Sequence, residues 1–210
     1  MNFANTSLGK TQSGTSMIEV LVTLIILLVG LLGLAGLQGQ AQRSEMESYQ
    51  RVQALVLLQD IAGRINANRK VASCYAFTTT PATGTPYLGV SSTATPMACT
   101  IGTATEISQV AQDLNAWNQM LIGAAETSGG SKIGAMIGAR GCISYDATTE
   151  LINPTTAAVI PGTGIYTVSV AWQGLANTAI ATPNCAQGQY GANDAIRRVV
   201  SMTLRTASLL

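Results

Sequence analysis

The 210-residue chain contains no histidine. That absence removes Ser-His-Asp triads, Cys-His nucleophile pairs and imidazole metal ligands. Charge is also scarce: Asp, Glu, Lys and Arg supply 10% of the residues, against about a quarter in ordinary soluble domains. The net charge is +1 and the basic residues form no cluster, so the sequence carries no electrostatic footprint for nucleic acid. No proline precedes Pro81, which leaves a long N-terminal stretch without a helix breaker. There is no phosphate-binding glycine loop; Gly162-Thr163-Gly164 reads as a turn before a strand. Regularly spaced oxygen ligands for calcium are missing too. Asp146 and Glu150 come nearest to a carboxylate pair, but with no other clustered acids they read as a solvated loop. The sequence therefore implies no catalysis and no cofactor.

Ser, Thr, Asn, Gln and Gly fill the polar positions, a composition suited to a periplasmic or extracellular setting. The four cysteines, Cys74, Cys99, Cys142 and Cys185, include no C-x-x-C pair. Disulfides in an oxidising compartment are the expected use. Of the three connectivities, the sequential one (Cys74–Cys99 and Cys142–Cys185) is favoured because each pair brackets a turn-rich segment.

Residues 20–37 form an uncharged run of 18, rich in Leu, Ile and Val. As a helix it rises about 27 Å, close to the apolar thickness of a bilayer. Glu19 stands at its mouth, preceded by Met17 and Ile18. A charge deep in a membrane costs about 2.5–3.5 kcal/mol on insertion scales, so a partner is expected unless Glu19 sits at headgroup level. An ordinary secretory signal cut after Gly39-Gln40-Ala41 is the alternative. Against it stand the length of the run, the acidic residue at its start, and the helical periodicity that continues past the supposed cut.

That continuation predicts one helix over about 15–68. Val52, Leu55, Leu58, Ala62 and Ile65 form its buried stripe, and Arg64, Arg69 and Lys70 lie near its C-terminus. Gly30, Gly33, Gly36 and Gly39 recur every third residue, and each costs about 0.5–1 kcal/mol relative to alanine. They suit close helix–helix approach, or a stretch able to loosen outside the bilayer. Residues 71–105 read as a long loop holding a short strand. Thr103 and Glu106 form a capping box, followed at helical spacing by Ile107, Val110, Leu114, Trp117 and Leu121. Beyond Gly129 the period becomes two: 166–172 and 198–205 read as strands, 142–145 as a shorter one and 132–137 as a weak one. The expected class is α+β, a long helix on an antiparallel sheet with a second short helix.

Gly14-Thr15-Ser16-Met17-Ile18-Glu19 followed by an apolar helix resembles the class III signal of type IV prepilins and type II secretion pseudopilins. The run from Ile18 to Val22 and on through Gly30-Leu31-Leu32-Gly33-Leu34-Ala35-Gly36-Leu37-Gln38 is similar to the minor pilins called PilV. So are Asp113-Leu114-Asn115-Ala116-Trp117 and Val168-Ser169-Val170-Ala171-Trp172. The resemblance implies the type IV pilin fold and cleavage between Gly14 and Thr15 by a prepilin peptidase, with N-methylation of Thr15. Glu19 would then act in subunit assembly. Thr15 departs from the usual Phe, as minor members do, and the helix lacks the proline of major pilins.

The implied parts are a leader over 1–14, a membrane or filament-core helix over 15–40, its amphipathic half over 41–70 and a head over 71–210. The implied partners are other minor pilins, the major pilin, a large tip adhesin and, before assembly, the inner membrane with the head in the periplasm. The implied processes are initiation of the extracellular pilus, twitching motility and attachment. A pseudopilin of type II secretion is the alternative, followed by a secreted binding module. A DNA-uptake pilin would need a basic stripe that this chain lacks.

Overall fold

In the computed structural model the described residues are 14, 16–95, 99–123, 127–128, 131–132, 136–191 and 193–207. The chain divides into two compact units, Met1–Glu45 and Met46–Leu210. Helix α1 (Met17–Ala67, 51 residues) contributes to both.

In the first unit every described residue of α1 is exposed. In the second, α1 buries Gln50, Ala54, Leu57, Leu58, Ile61, Ala62 and Ile65, a stripe with the three-and-four spacing of one helix face. The stripe expected from the sequence is partly wrong. Val52 and Leu55 are exposed, because Ala54, Leu57 and Ile61 set a face that both residues miss. Beyond α1, the described part of 71–105 is more ordered than a loop. A 3-10 helix runs over Arg69–Tyr75 and buries Val71, Ala72, Cys74 and Tyr75. Strand β1 (Leu88–Gly89) follows.

Helix α2 (Ala104–Leu121) begins with the expected capping box. Thr103 Oγ1 accepts from Glu106 N at 3.3 Å, and the Glu106 carboxylate accepts from Thr103 N at 2.8 Å. The bond from Thr103 N, and next one from the Thr103 hydroxyl at 3.0 Å, hold the Glu106 carboxyl below its usual range. Val110, Trp117 and Leu121 are buried, as the spacing predicts, while Ile107 and Leu114 are half-buried.

Strands β2 (Thr127–Ser128) and β3 (Ser131–Lys132) pair with each other. Of the weak strand expected at 132–137, only Lys132 is strand; 136 and 137 lie in a bend and turn, and 133–135 lie outside the described residues. Then come β4 (Arg140–Asp146), β5 (Leu151–Ile152), β6 (Val159–Ile160), β7 (Ile165–Gln173) and β8 (Arg197–Arg205). Strands β5 and β6 form a separate hairpin, and the main sheet has the order β1-β4-β7-β8, antiparallel throughout.

Alternation along β7 divides the core of the second unit. Tyr166, Val168, Val170 and Trp172 join Ile143, the α1 stripe and Trp117 in one apolar cluster. Ala171 faces the other way and joins Cys142, Cys185, Tyr87 and Tyr190 in a smaller one. Gly141 lies against the Trp117 ring, where a Cβ would collide with it; the glycine is what lets α2 approach β4.

Candidate functional site: the apolar helix and the ties of the head

Gly14 is exposed and Thr15 lies outside the described residues. Ser16 O accepts from Glu19 N at 2.9 Å and from Val20 N at 3.3 Å, which starts the helix. Glu19 thus lies in the first turn of α1, where the macrodipole favours an acid. Its exposed carboxylate has no hydrogen bond or ion pair among the described residues.

Behind it, Val20, Leu21, Leu24, Ile25, Ile26, Leu27 and the rest of the run are exposed. The helix is long and apolar enough to cross a membrane by length and composition. A Cβ at Gly30, Gly33, Gly36 or Gly39 would meet nothing within 4 Å. No packing within the chain therefore requires glycine there, and the four leave a smooth stretch for another helix.

In the second unit, long-range polar ties fix α1 to its neighbours: Glu47 accepts from Leu175 N and Arg198 Nη2, each at 3.2 Å, and three more run through Trp117, Trp172 and Asp113. Trp117 Nε1 donates to Leu57 O at 3.0 Å, and Trp172 Nε1 donates to Gln50 Oε1 at 3.2 Å. Asp113, 4% exposed, is the centre of the third. Its carboxylate accepts from Tyr75 Oη at 2.6 Å, Arg64 Nη1 at 3.0 Å and Gln109 Nε2 at 2.9 Å. Arg64 also donates to Asp60 at 2.7 Å. Burial, and next the bond to Asp113, push the Tyr75 hydroxyl well above the usual tyrosine range. In the sequence Asp113 stands out only within the Asp113-Leu114-Asn115-Ala116-Trp117 resemblance. An acid one turn ahead of the buried Trp117, on an otherwise apolar face, was the signal available.

The cysteines are joined as Cys74–Cys99 and Cys142–Cys185, with Cα–Cα distances of 5.5 and 5.8 Å. The first ties the 3-10 helix to the segment before α2; the second ties β4 to the loop before β8. With separations of 25 and 43 residues, the chain-entropy relation gives about 3.5 and 4 kcal/mol. Gly14 and Glu19 belong to the first unit and both disulfides to the second.

Asp146 and Glu150 do not pair. Asp146 accepts from Thr148 N at 2.9 Å in a tight turn. Glu150 accepts from Tyr145 Oη and from Gly162 N at 2.8 Å, bonds that hold its carboxyl below the usual range. A cavity of about 460 Å³ opens beside Glu150, lined by Arg69, Tyr145, Thr163 and Tyr166 among others. A second, of about 310 Å³, lies between Phe77, Leu88, Val110 and Leu114. Among the described residues no three His, Cys, Asp or Glu side chains group as a metal would need.

A family model described as Type IV pilin Tt1218, of the Tt1218-like family, matches residues 36–112. The match supports a type IV pilin. It spans the C-terminal part of α1, the 3-10 helix, β1 and the first half of α2, and ends one residue before Asp113. The α+β arrangement of a long N-terminal apolar helix and a C-terminal antiparallel sheet is consistent with the type IV pilin fold. Comparison with curated proteins and with solved structures found no match.

Proposed function

We propose that the chain is a non-catalytic minor pilin, PilV-like, that is processed by a prepilin peptidase and takes part in initiating a type IV pilus. The observation that carries this reading is the exposed apolar half of α1, headed by Glu19 and continuous with a half that is fixed to a disulfide-bonded head. Such a surface is unfavourable in water at about 25 cal/mol per Å², so it is held in a bilayer or among other helices. The match to a type IV pilin family supports the second of these in the assembled state.

In this reading the peptidase cuts after Gly14, leaving Thr15 as a methylated N-terminus, and the helix anchors the subunit in the inner membrane with its head in the periplasm. Glu19 then docks against the Thr15 amine, its own or that of the next subunit. Pairing within an apolar setting offsets desolvation only in good geometry, so the contact sets register rather than adding general adhesion. Other minor pilins, the major pilin and a large tip adhesin are the expected partners, with twitching motility and attachment the expected processes.

Intact mass of the mature protein tests the processing step. A methylated chain starting at Thr15 is expected; a start near Gln42 would instead make this a secreted protein. Glu19→Ala tests the docking step: cleavage is expected to survive while recovery of the subunit in sheared pili is lost. Normal incorporation of the variant would sink the pairing.

A further inference from the structure

The two edges of the main sheet are unequal. One is β1, of two residues. The other is β8, of nine residues, paired with β7 from Ile165↔Arg205 to Gln173↔Arg197 without a bulge. Just beyond that ladder Gly174 N donates to Ile196 O at 2.8 Å, which makes these two residues a hydrogen-bonded pair. Alternation along an antiparallel ladder then turns the backbone groups of Arg198, Val200, Met202 and Leu204 toward β7. Those of Val199, Ser201, Thr203 and Arg205 point to the open side. The Ser169 and Ser201 hydroxyls, 2.8 Å apart, mark the close, non-hydrogen-bonded kind of pair and agree with this assignment. Among the described residues no hydrogen bond reaches the outward N–H and C=O groups, and Ser201, Thr203 and Arg205 are exposed.

Sheets ordinarily blunt such an edge with proline, lysine, a bulge or a short strand. From Val199 to Leu204, β8 has no proline, glycine or charge. Its face toward α1 carries Val200, which belongs to the main apolar cluster, and Met202 and Leu204, which are half-buried against that cluster. Leu55, at i+8 from Glu47 and so on the row of α1 that reaches Arg198 of β8, is 42% exposed. The opposite face of the strand shows the hydroxyls of Ser201 and Thr203. Cations stand toward both ends: Arg205 in the strand itself, and Arg51 at i+4 from Glu47. Both arginines are exposed and have no hydrogen bond or ion pair among the described residues.

We propose that the outer edge of β8 docks an extended segment of another protein, which joins the sheet as its next strand. An open ladder of alternating donors and acceptors is matched by an extended backbone. The surroundings set the chemistry of that segment: an uncharged middle with apolar side chains at alternate positions toward α1, and carboxylate side chains at its ends against Arg205 and Arg51. A second copy of β8 is a poor occupant. The second-unit part of α1 runs beside β8 in the same direction, since Glu47 bonds Arg198 while Arg69, just past α1, shares a cavity with Thr206, just past β8. An antiparallel pair of β8 strands would set these two α1 segments antiparallel, a mismatch for subunits anchored in one membrane. That exclusion rests on the pilin reading above; the docking itself does not.

The test is a titration of the full chain, in detergent and labelled with ¹⁵N, with a blocked peptide of alternating valine and threonine that carries aspartate at both ends. Before addition, the amides of Val199, Ser201, Thr203 and Arg205 are expected to exchange with solvent faster than those of Val200, Met202 and Leu204. The peptide is expected to slow the first group and to shift its resonances saturably, and the same peptide ended in lysine to bind more weakly. Arg205→Glu should weaken the aspartate-ended peptide about fivefold, the worth of one exposed charge contact. Thr203→Pro removes an N–H that β7 does not use, so the fold, read by tryptophan fluorescence, is expected to stay while binding is lost. If that variant does not fold, Arg205→Glu with the two peptides decides the matter. Three results overturn the proposal: no response of the outward amides, an equal response to the lysine-ended peptide, or protection of those amides that rises with protein concentration alone. A mature start near Gln42 would sink the pilin reading and leave the peptide result standing, so the two fail separately.

Discussion

The two parts of α1 share a backbone and a leucine-rich vocabulary, yet they use their side chains in opposite ways. Before residue 46 the apolar residues are displayed on every side, with Leu27 61% exposed. After it one stripe is buried, with Leu58 1% exposed, while Val52, Leu55 and Val56 lie off that stripe and stay exposed. Apolar content alone therefore does not decide what a helix is for. Periodicity does: an all-round apolar helix has no preferred face and suits a bilayer or bundle, whereas a stripe commits the helix to one surface.

Leu58→Ala breaks that contrast most strongly. It is expected to lower the stability of the second unit by about 2–5 kcal/mol, read by chemical denaturation of the full chain in detergent with tryptophan fluorescence. Trp117, beside the same stripe, makes that signal sensitive to the head. Asp113→Ala comes next, at about 2–3 kcal/mol, because it leaves Tyr75 and Arg64 facing an empty acceptor position. Denaturation of Asp113→Ala and of Asp113→Ala with Tyr75→Phe separates the lost bond from the unpaired hydroxyl. The double variant should recover part of the loss.

Raising the pH probes the same ties without mutation. Tyr75, Tyr166 and Tyr190 all have hydroxyls raised above the ordinary tyrosine value of 10.0, chiefly by burial. Between pH 10 and the raised values the folded state holds more protons than the unfolded one, so stability is complete below pH 10 and falls above it. Tyr190, raised to about 12, accounts for up to about 3 kcal/mol of that fall. Denaturation midpoints measured from pH 8 to 12 should be flat at first and then drop. The smallest effect belongs to Leu27→Ala, expected to leave head stability within about 0.5 kcal/mol. A loss as large as that of Leu58→Ala would erase the contrast between the two parts of the helix.

The capping box at Thr103, the face of α2 and strands β4, β7 and β8 were legible in the sequence, because each is written in residues close together in the chain. The α1 stripe was misread at Val52 and Leu55 because several apolar faces compete there, and contact with the sheet chooses among them. The 3-10 helix over Arg69–Tyr75 was missed for a related reason. It is held by Cys74–Cys99 and by the Tyr75–Asp113 bond, whose partners lie 25 and 38 residues away.

For the candidate assembly surface, the sequence by itself placed Glu19 at the head of an uncharged helical run, since charge and hydropathy need no neighbours to be read. Only the tertiary structure decided which buried polar groups are satisfied. Arg197 and Arg140 look equivalent in the chain, and one is encircled by acceptors while the other has its Nε buried without one. A hydrogen bond depends on positions fixed to a few tenths of an ångström, and those positions arise when distant segments pack together.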